Sequence, residues 1–215
     1  VPWDDPASRA PLTFTAVAQR KGEYWMNMTR TVNIDPTNVD DLTRAEISER
    51  KNVVEVTRLL IKNVPGFENA YLSATSPAVG VRESRRVIGE YMLTRDDVLS
   101  CRRFEDGVAM GAYPIDIHDP KGGKTQFMFL QEGGSYNIPY RCLVPQEIEN
   151  LIVAGKNISA THEAVGTTRL QATVMAIGQA AGTAAALAVK SEISPRRMNA
   201  SDLRSKLRDQ GAQVG

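Results

Sequence analysis

His118 and His162 are the two histidines of this sequence. His titrates near neutrality, so each is a candidate for moving a proton. His162 stands in the run Ala160-Thr-His-Glu-Ala164. It reads as a proton handler or as a loop histidine bonded to backbone. Asp116, His118 and Asp119 fall at strand spacing, with Asp116 and His118 on one face. Such a set is a weak metal signal without a further ligand, and no metal is assigned. The competing readings are a substrate pocket, with Tyr113 nearby, and a strand end at which Asp119-Pro120 starts a turn. Arg82, Arg85 and Arg86 form a short cationic run. A planar guanidinium suits a carboxylate or sugar hydroxyls, unless Glu83 or Glu90 takes it in a salt bridge. Cys101 lies beside Arg102 and Arg103, which would depress the pKa of an exposed thiol. Cys142, the other of the two cysteines, is distant in sequence. Inert thiols are therefore expected, and a bridge between the two stays open.

A second kind of chemistry is suggested by backbone. Leu151 to Ala154 is a continuous apolar run closed by Gly155, the pattern of a parallel strand buried on both faces. A loop and a helix rich in small residues follow from about Leu170. Ligands of open parallel sheets bind beyond strand C-termini and against helix N-termini. The free N–H groups near Leu170 to Thr173 suit such a ligand. Gly178, Ala181, Gly182 and Ala185 would let the helix pack closely. Plain helix-on-sheet packing explains the same pattern.

Other elements must hold these residues in place. Leu12 to Ala18 and Glu23 to Thr29 read as a hairpin turning near Gly22. A helix is predicted over about Val39 to Asn63, with Thr43 and Glu46 as a capping box and Pro65-Gly66 as its stop. Leu42, Ala45, Val53, Val56 and Leu60 share one face, and its charges read as a solvated face. Val79 to Leu93 holds strand-like runs, clearest at Val87 to Met92. Thr94 begins a short helix, with Asp96 and Asp97 at its positive end. Ala109 to Ile117 and Thr125 to Leu130 read as strands, with turn signals at Gly122-Gly123 and Gly133-Gly134. A last helix runs from Ala200 to Gln210, capped by Asn199 or Ser201. The fold class is α+β: a mainly antiparallel sheet region with helices over 1–145, then a strand-loop-helix segment over 146–215.

Composition narrows the function classes. With 26 basic against 25 acidic residues the net charge is +1, which gives no footprint for nucleic acid or an anionic membrane. Leu170 to Val189 carries no charge and is long enough to span a bilayer. Its Ala, Gly, Thr and Gln content, with Gln171 and Gln179, fits a buried helix of a soluble protein better. The chain starts at Val1 rather than Met, which predicts that something upstream has been removed. The compartment stays open.

Several long segments, in order, resemble one family. They are Arg82-Glu-Ser-Arg-Arg-Val-Ile-Gly-Glu-Tyr91, Ala112-Tyr-Pro-Ile-Asp-Ile-His-Asp119 and Ile138-Pro-Tyr-Arg-Cys-Leu-Val-Pro145. Next come Asn150-Leu-Ile-Val-Ala-Gly-Lys-Asn-Ile-Ser-Ala-Thr-His-Glu-Ala164, Arg169, and Gly178-Gln-Ala-Ala-Gly-Thr-Ala-Ala-Ala186. Together they resemble FAD-dependent oxidoreductases with a glutathione-reductase-like flavin domain and an inserted substrate domain. The resemblance spans about Asn27 to Gly211. It implies that 1–145 is substrate-domain-like and that 146–215 completes a parallel α/β FAD-binding domain. No G-x-G-x-x-G occurs in the sequence, so the segment holding the ADP half of FAD is expected outside it.

The resemblance further implies cofactor contacts at Gly155, Asn157, Arg169, Thr173 and Val174. Catalytic or substrate-side roles fall to His118, His162, Tyr113, Arg85 and Arg86. A helix dipole aimed at the isoalloxazine would stabilise negative charge on the reduced flavin. Three residues at two places depart from the pattern. Lys156 and Asn157 stand where an acidic residue often binds the ribityl chain, and Ala172 replaces a proline often found at the helix start. The expected activity is hydride transfer between FAD and an organic small molecule, a carbohydrate-like one among the candidates. This chain alone is expected to be inactive, to bind no FAD, and to self-associate through its orphan strand. Two other classes compete. A polysaccharide-lyase-type module would use His118 or Tyr113 as base, with Arg85 or Arg86 neutralising a uronate. A non-catalytic interaction domain would do neither.

Overall fold

The computed structural model describes residues 14–15, 20–117 and 126–215. The chain divides into two compact units, one within Val1–Val81 and one drawing on Arg82–Ile117 and Thr125–Gly215. The predicted division at 145/146 is not where packing divides. A single core joins Leu93, Ile115 and Ile138 to Ile158, Ile177 and Leu203, drawing from both sides of Pro145.

In the first unit, β1 (Phe14–Thr15) pairs antiparallel with β2 (Trp25–Met26). Helix α1 (Val39–Asn63) has the predicted bounds. Its cap differs from the capping box expected at Thr43 and Glu46. Asn38 is the N-cap, and its Oδ1 accepts from the N–H groups of Asp40 (2.8 Å) and Asp41 (3.4 Å). Thr43 lies inside the first turn, so its hydroxyl donates back to the Val39 carbonyl (2.9 Å). Glu46 accepts from the Val79 N–H (2.6 Å) and pairs with Arg50, so this face is not wholly solvated. Ala45, Val56 and Leu60 are buried; Val56 and Leu60 cluster with Met28. The helix stops before Pro65, which lacks an N–H, and Gly66 adopts φ +93°.

In the second unit the run expected as strand, Val87 to Met92, joins no regular ladder. It threads between two segments instead. The N–H groups of Val87 and Leu93 bond to Asn157 and Ser159, while those of Glu90 and Tyr91 bond to Val144 and Arg141. Gly89 permits this crossing. A Cβ there would lie 2.8 Å from Ser159 Cβ and 2.9 Å from the Arg141 carbonyl. Helix α2 (Arg95–Leu99) follows, with a capping box between Thr94 and Asp97.

The strand expected over Ala109 to Ile117 is two strands, β3 (Gly107–Gly111) and β4 (Ile115–Ile117). Pro114 has no donor to continue a ladder. β4 pairs antiparallel with β5 (Gln126–Met128), and β3 with β6 (Tyr136–Pro139), a strand the sequence reading did not pick out. The described strands thus form three two-stranded antiparallel ribbons rather than one sheet.

The stretch between Gly155 and Leu170, read as loop, contains helix α3 (His162–Thr168), N-capped by Thr161. Helices α4 (Gln171–Lys190) and α5 (Ala200–Asp209) complete the chain, with Asn199 capping the latter. α4 packs on β3 and α5. It buries Thr173, Ile177, Ala180, Ala181, Ala184 and Ala188. The expectation of a buried helix holds for that face only. On the other face Met175 is 74% and Val189 80% exposed, and nothing lies within 4 Å of a Cβ built on Gly178 or Gly182. α4 is long and apolar enough to cross a membrane by length and composition, and 28% of its most apolar window is buried in this chain. Leu151 to Ala154 also forms no ladder here. Its Val153 N–H donates to the Leu143 carbonyl (2.8 Å), and Leu151 is 38% exposed.

Candidate active site

Helix α3 and strand β4 pack against each other. Gly166 makes this close approach possible: a Cβ there would sit 3.0 Å from the Asp116 carbonyl oxygen. The contact brings residues from both elements, and from the start of the second unit, into one charged cluster. Arg169 caps α3 and is nearly buried, with an 11% exposed side chain. Its Nη2 donates to the Asp116 carbonyl (2.9 Å) and lies 3.5 Å from Asp116 Oδ2. Arg82 reaches the same Oδ2 at 3.6 Å. Two guanidinium groups therefore share one carboxylate. Burial, and then Arg82, pull the Arg169 pKa below its usual range, opposed by Asp116, Glu83 and Tyr113.

Beside this triad, Glu83 holds two further groups. Its Oε2 lies 2.6 Å from His162 Nδ1, and its Oε1 pairs with Arg86. His162 opens α3, and its side chain is 46% exposed. A carboxylate can only accept, so it orients the imidazole with Nδ1 protonated and leaves Nε2 for other partners. Tyr113 lies on the bend between β3 and β4, and its carbonyl accepts from the Thr167 hydroxyl (2.7 Å). That hydroxyl also meets the buried Tyr136 hydroxyl at 2.9 Å. Burial raises the Tyr136 pKa to about 12, so it stays a neutral strut.

The predicted site residues thus separate into three groups. His162, Arg86 and Arg169 come together, with Tyr113 at the margin. Arg85 is exposed and takes no part in the cluster's ion pairs. His118 lies outside the described residues, as does Asp119. Glu83 and Asp116 are not among the expected catalytic or cofactor residues, although the sequence marks Glu83 as a salt-bridge partner for the arginines and Asp116 as a pocket or metal candidate. The signal for Glu83 was its place among Arg82, Arg85 and Arg86; nothing local marks Asp116 as the partner of Arg82 and Arg169.

The backbone features lie next to this cluster. Gly155 has φ +86° and opens a short 3-10 turn, Gly155–Asn157, with free space at its missing Cβ. Asn157 gives its carbonyl to Val87 and keeps an exposed side chain. α4 contacts this turn and begins two residues after α3 ends. Leu170, its N-cap, supplies no side-chain bond, so the N–H groups of Gln171, Ala172 and Thr173 have no intrahelical partner. Of the two positions expected to present N–H groups, Val174 donates to the Leu170 carbonyl (2.8 Å) and is spent within the helix. Thr173 keeps its backbone donor, while its side chain is buried.

Both cysteines are free thiols. Arg102 and Arg103, the neighbours of Cys101 in sequence, turn to Asp97 (2.8 Å) and Ser135 (2.7 Å). Burial pushes the Cys142 pKa up to about 12. No curated protein and no solved structure matches the chain. A family described as FAD dependent oxidoreductase matches residues 4–207, nearly the whole length. The chain belongs to that family of FAD-dependent oxidoreductases.

Proposed function

We propose that this chain is the carboxyl-terminal part of a flavoenzyme with a glutathione-reductase-like flavin domain. In this reading 146–215 contributes to the cofactor side and 1–145 to the substrate side. That division is by ligand, and one packed core crosses it. The observation that carries the reading is adjacency: the Arg82–Asp116–Arg169 and Glu83–His162–Arg86 cluster gathers around α3, whose C-cap Arg169 stands two residues before Gln171, the first residue of α4.

The residues fit the isoalloxazine and ribityl end of FAD. Gly155 leaves room for close approach, and the Asn157 amide suits a ribityl hydroxyl. The Gln171 to Thr173 N–H groups suit the electronegative edge of the ring system. Ser159 Oγ and Thr168 Oγ1, both buried without a hydrogen-bond partner, lie in the stretch between the Gly155–Asn157 turn and α4. No G-x-G-x-x-G is present to hold a pyrophosphate, so the ADP half falls to a segment outside these residues. FAD, when bound, accepts or gives the hydride. This chain's part is to orient the substrate with its guanidinium groups, and to hold or release a proton at His162 Nε2 while Glu83 fixes the ring.

The test is whether binding needs the missing motif. The chain mixed with FAD and passed through gel filtration should elute colourless. Co-expressed with a segment carrying strand–GxGxxG–helix, it should elute yellow. A stoichiometric yellow peak from the chain alone would overturn the division of the cofactor. A colourless complex would overturn the flavin site.

A further inference from the structure

We infer that the outer face of the β4–β5 ribbon, with Arg82 and Arg169, binds a carboxylate carried on a ring, the ring stacking on Phe127 and Phe129. The register carries the argument. Asp116 is directly opposite Phe127 across the antiparallel pair, and directly opposed side chains project to the same face. Phe129 is two residues further on, so it shares that face. Packing confirms the alternation. Ile115, Ile117, Met128 and Leu130 pack with the core, which leaves Asp116, Phe127 and Phe129 on the other side.

The two phenyl rings stack on each other, with centroids 6.3 Å apart and planes 26° apart. They are 50% and 73% exposed. Two neighbouring aromatic rings held open on a short ribbon form a platform of large apolar area. A groove of about 330 Å³ opens beside Phe129, lined also by Ala112 and Pro114, a size that suits a small ring.

The charge next to this platform selects the ligand. Among the described residues, Arg82, Arg86 and Arg169 face two carboxylates, Asp116 and Glu83. Within that set one positive charge is left over, while Glu132 lines the groove beside Phe129. Arg169 is the strained member, because burial and Arg82 both work against its charge. An incoming carboxylate would offset both by its opposite charge and can take a paired N–H fork. A ring without the acid would leave the cations unserved, and an acid without a ring would leave the platform unused. The inference deepens the proposed function only in calling the ligand the substrate; the binding face itself does not depend on flavin.

The test uses the full 215-residue chain without cofactor. Benzoate and D-glucuronate serve as ring carboxylates, one aromatic and one a sugar, with acetate and benzyl alcohol as controls. Binding is followed by NMR, through the Phe127 and Phe129 ring signals and the Arg169 Nε–H signal. At least one ring carboxylate should saturate and move both sets together, and which one does names the ring. Acetate and benzyl alcohol should each bind about tenfold more weakly. Phe129→Ala and Arg82→Gln alter exposed side chains, keep the fold, and should each weaken binding roughly five- to tenfold. Absence of saturable binding by both ring acids would overturn the inference. So would binding that both variants leave unchanged, or acetate binding as tightly as the ring acids. Failure here with a yellow co-expressed complex removes the ligand face alone; a colourless complex with binding intact removes the flavin reading alone.

Discussion

Replacing Arg169 by Ala tests whether the charged cluster is a built feature. The guanidinium donates to the Asp116 carbonyl at 2.9 Å and sits 3.5 Å from its carboxylate, with an 11% exposed side chain. A hydrogen bond from a charged donor contributes about 1.5–3 kcal/mol. Stripping a buried carboxylate of its only partner costs about 3–5 kcal/mol. Asp116 keeps Arg82 at 3.6 Å, so the second penalty is largely avoided. Release of the Arg82–Arg169 repulsion offsets part of the loss. The balance is a destabilisation of about 2 kcal/mol. For a chain of this size that lowers Tm by roughly 4–8 °C. Scanning calorimetry of the chain should show this shift in the transition of the second unit. Arg169→Lys, which keeps charge without the fork, should fall between. A cycle with Asp116→Asn should show coupling of about 1 kcal/mol. A Tm shift under 1 °C, or strict additivity in the cycle, would refute the shared-carboxylate geometry. In the flavin-loaded protein the same change should weaken flavin binding or slow flavin reduction.

Other expectations follow from individual residues. Burial alone would raise the Asp97 pKa, yet bonds from Thr94, Arg102 and Tyr91 outweigh it and the net direction is down. A depressed carboxyl stabilises the fold above its unfolded pKa of about 3.9 and loses that contribution as pH falls through the folded value. Asp97→Asn should cost about 1–3 kcal/mol at pH 7 and flatten this acid slope in urea titrations; an unchanged slope would count against the network. In the flavin-loaded protein, His162→Ala should slow flavin reduction, while His118→Ala and Tyr113→Phe should alter turnover with flavin content intact. Loss of flavin on either of the latter two would move them to the cofactor side. In the chain at pH 8 a disulfide exchange reagent should modify Cys101, which is partly exposed, and reach Cys142 only on unfolding; rapid modification of both would contradict the burial of Cys142. The open face of α4 should drive self-association, and Met175→Glu should reduce it in sedimentation velocity. A chain that stays monomeric at high concentration would show that the face needs no cover.

Much of this molecule is written in local sequence. Helix α1 follows from its apolar period and from Pro65-Gly66, and α2 and α5 from their caps. The family resemblance lay in contiguous segments, and that class is the one the family match supports. What the sequence missed was non-local. Short-range rules gave Thr43 as a cap, but Asn38 had better access to the free N–H groups. Val87 to Met92 has strand composition, yet its hydrogen bonds alternate between two distant segments because Gly89 lets three backbones meet. The site shows the same division. His162 and Arg86 could be chosen by residue type, because only a few side chains carry that chemistry, and Arg169 by the family resemblance. Their partners could not. Glu83 and His162 are 79 positions apart, and Asp116 and Arg169 are 53 apart. Arg86 takes Glu83, three residues away, but Arg82 and Arg169 pass over the nearer Glu83 and Glu163 for Asp116. Only the packing of α3 on β4, set by a core shared across Pro145, decides which carboxylate each cation meets.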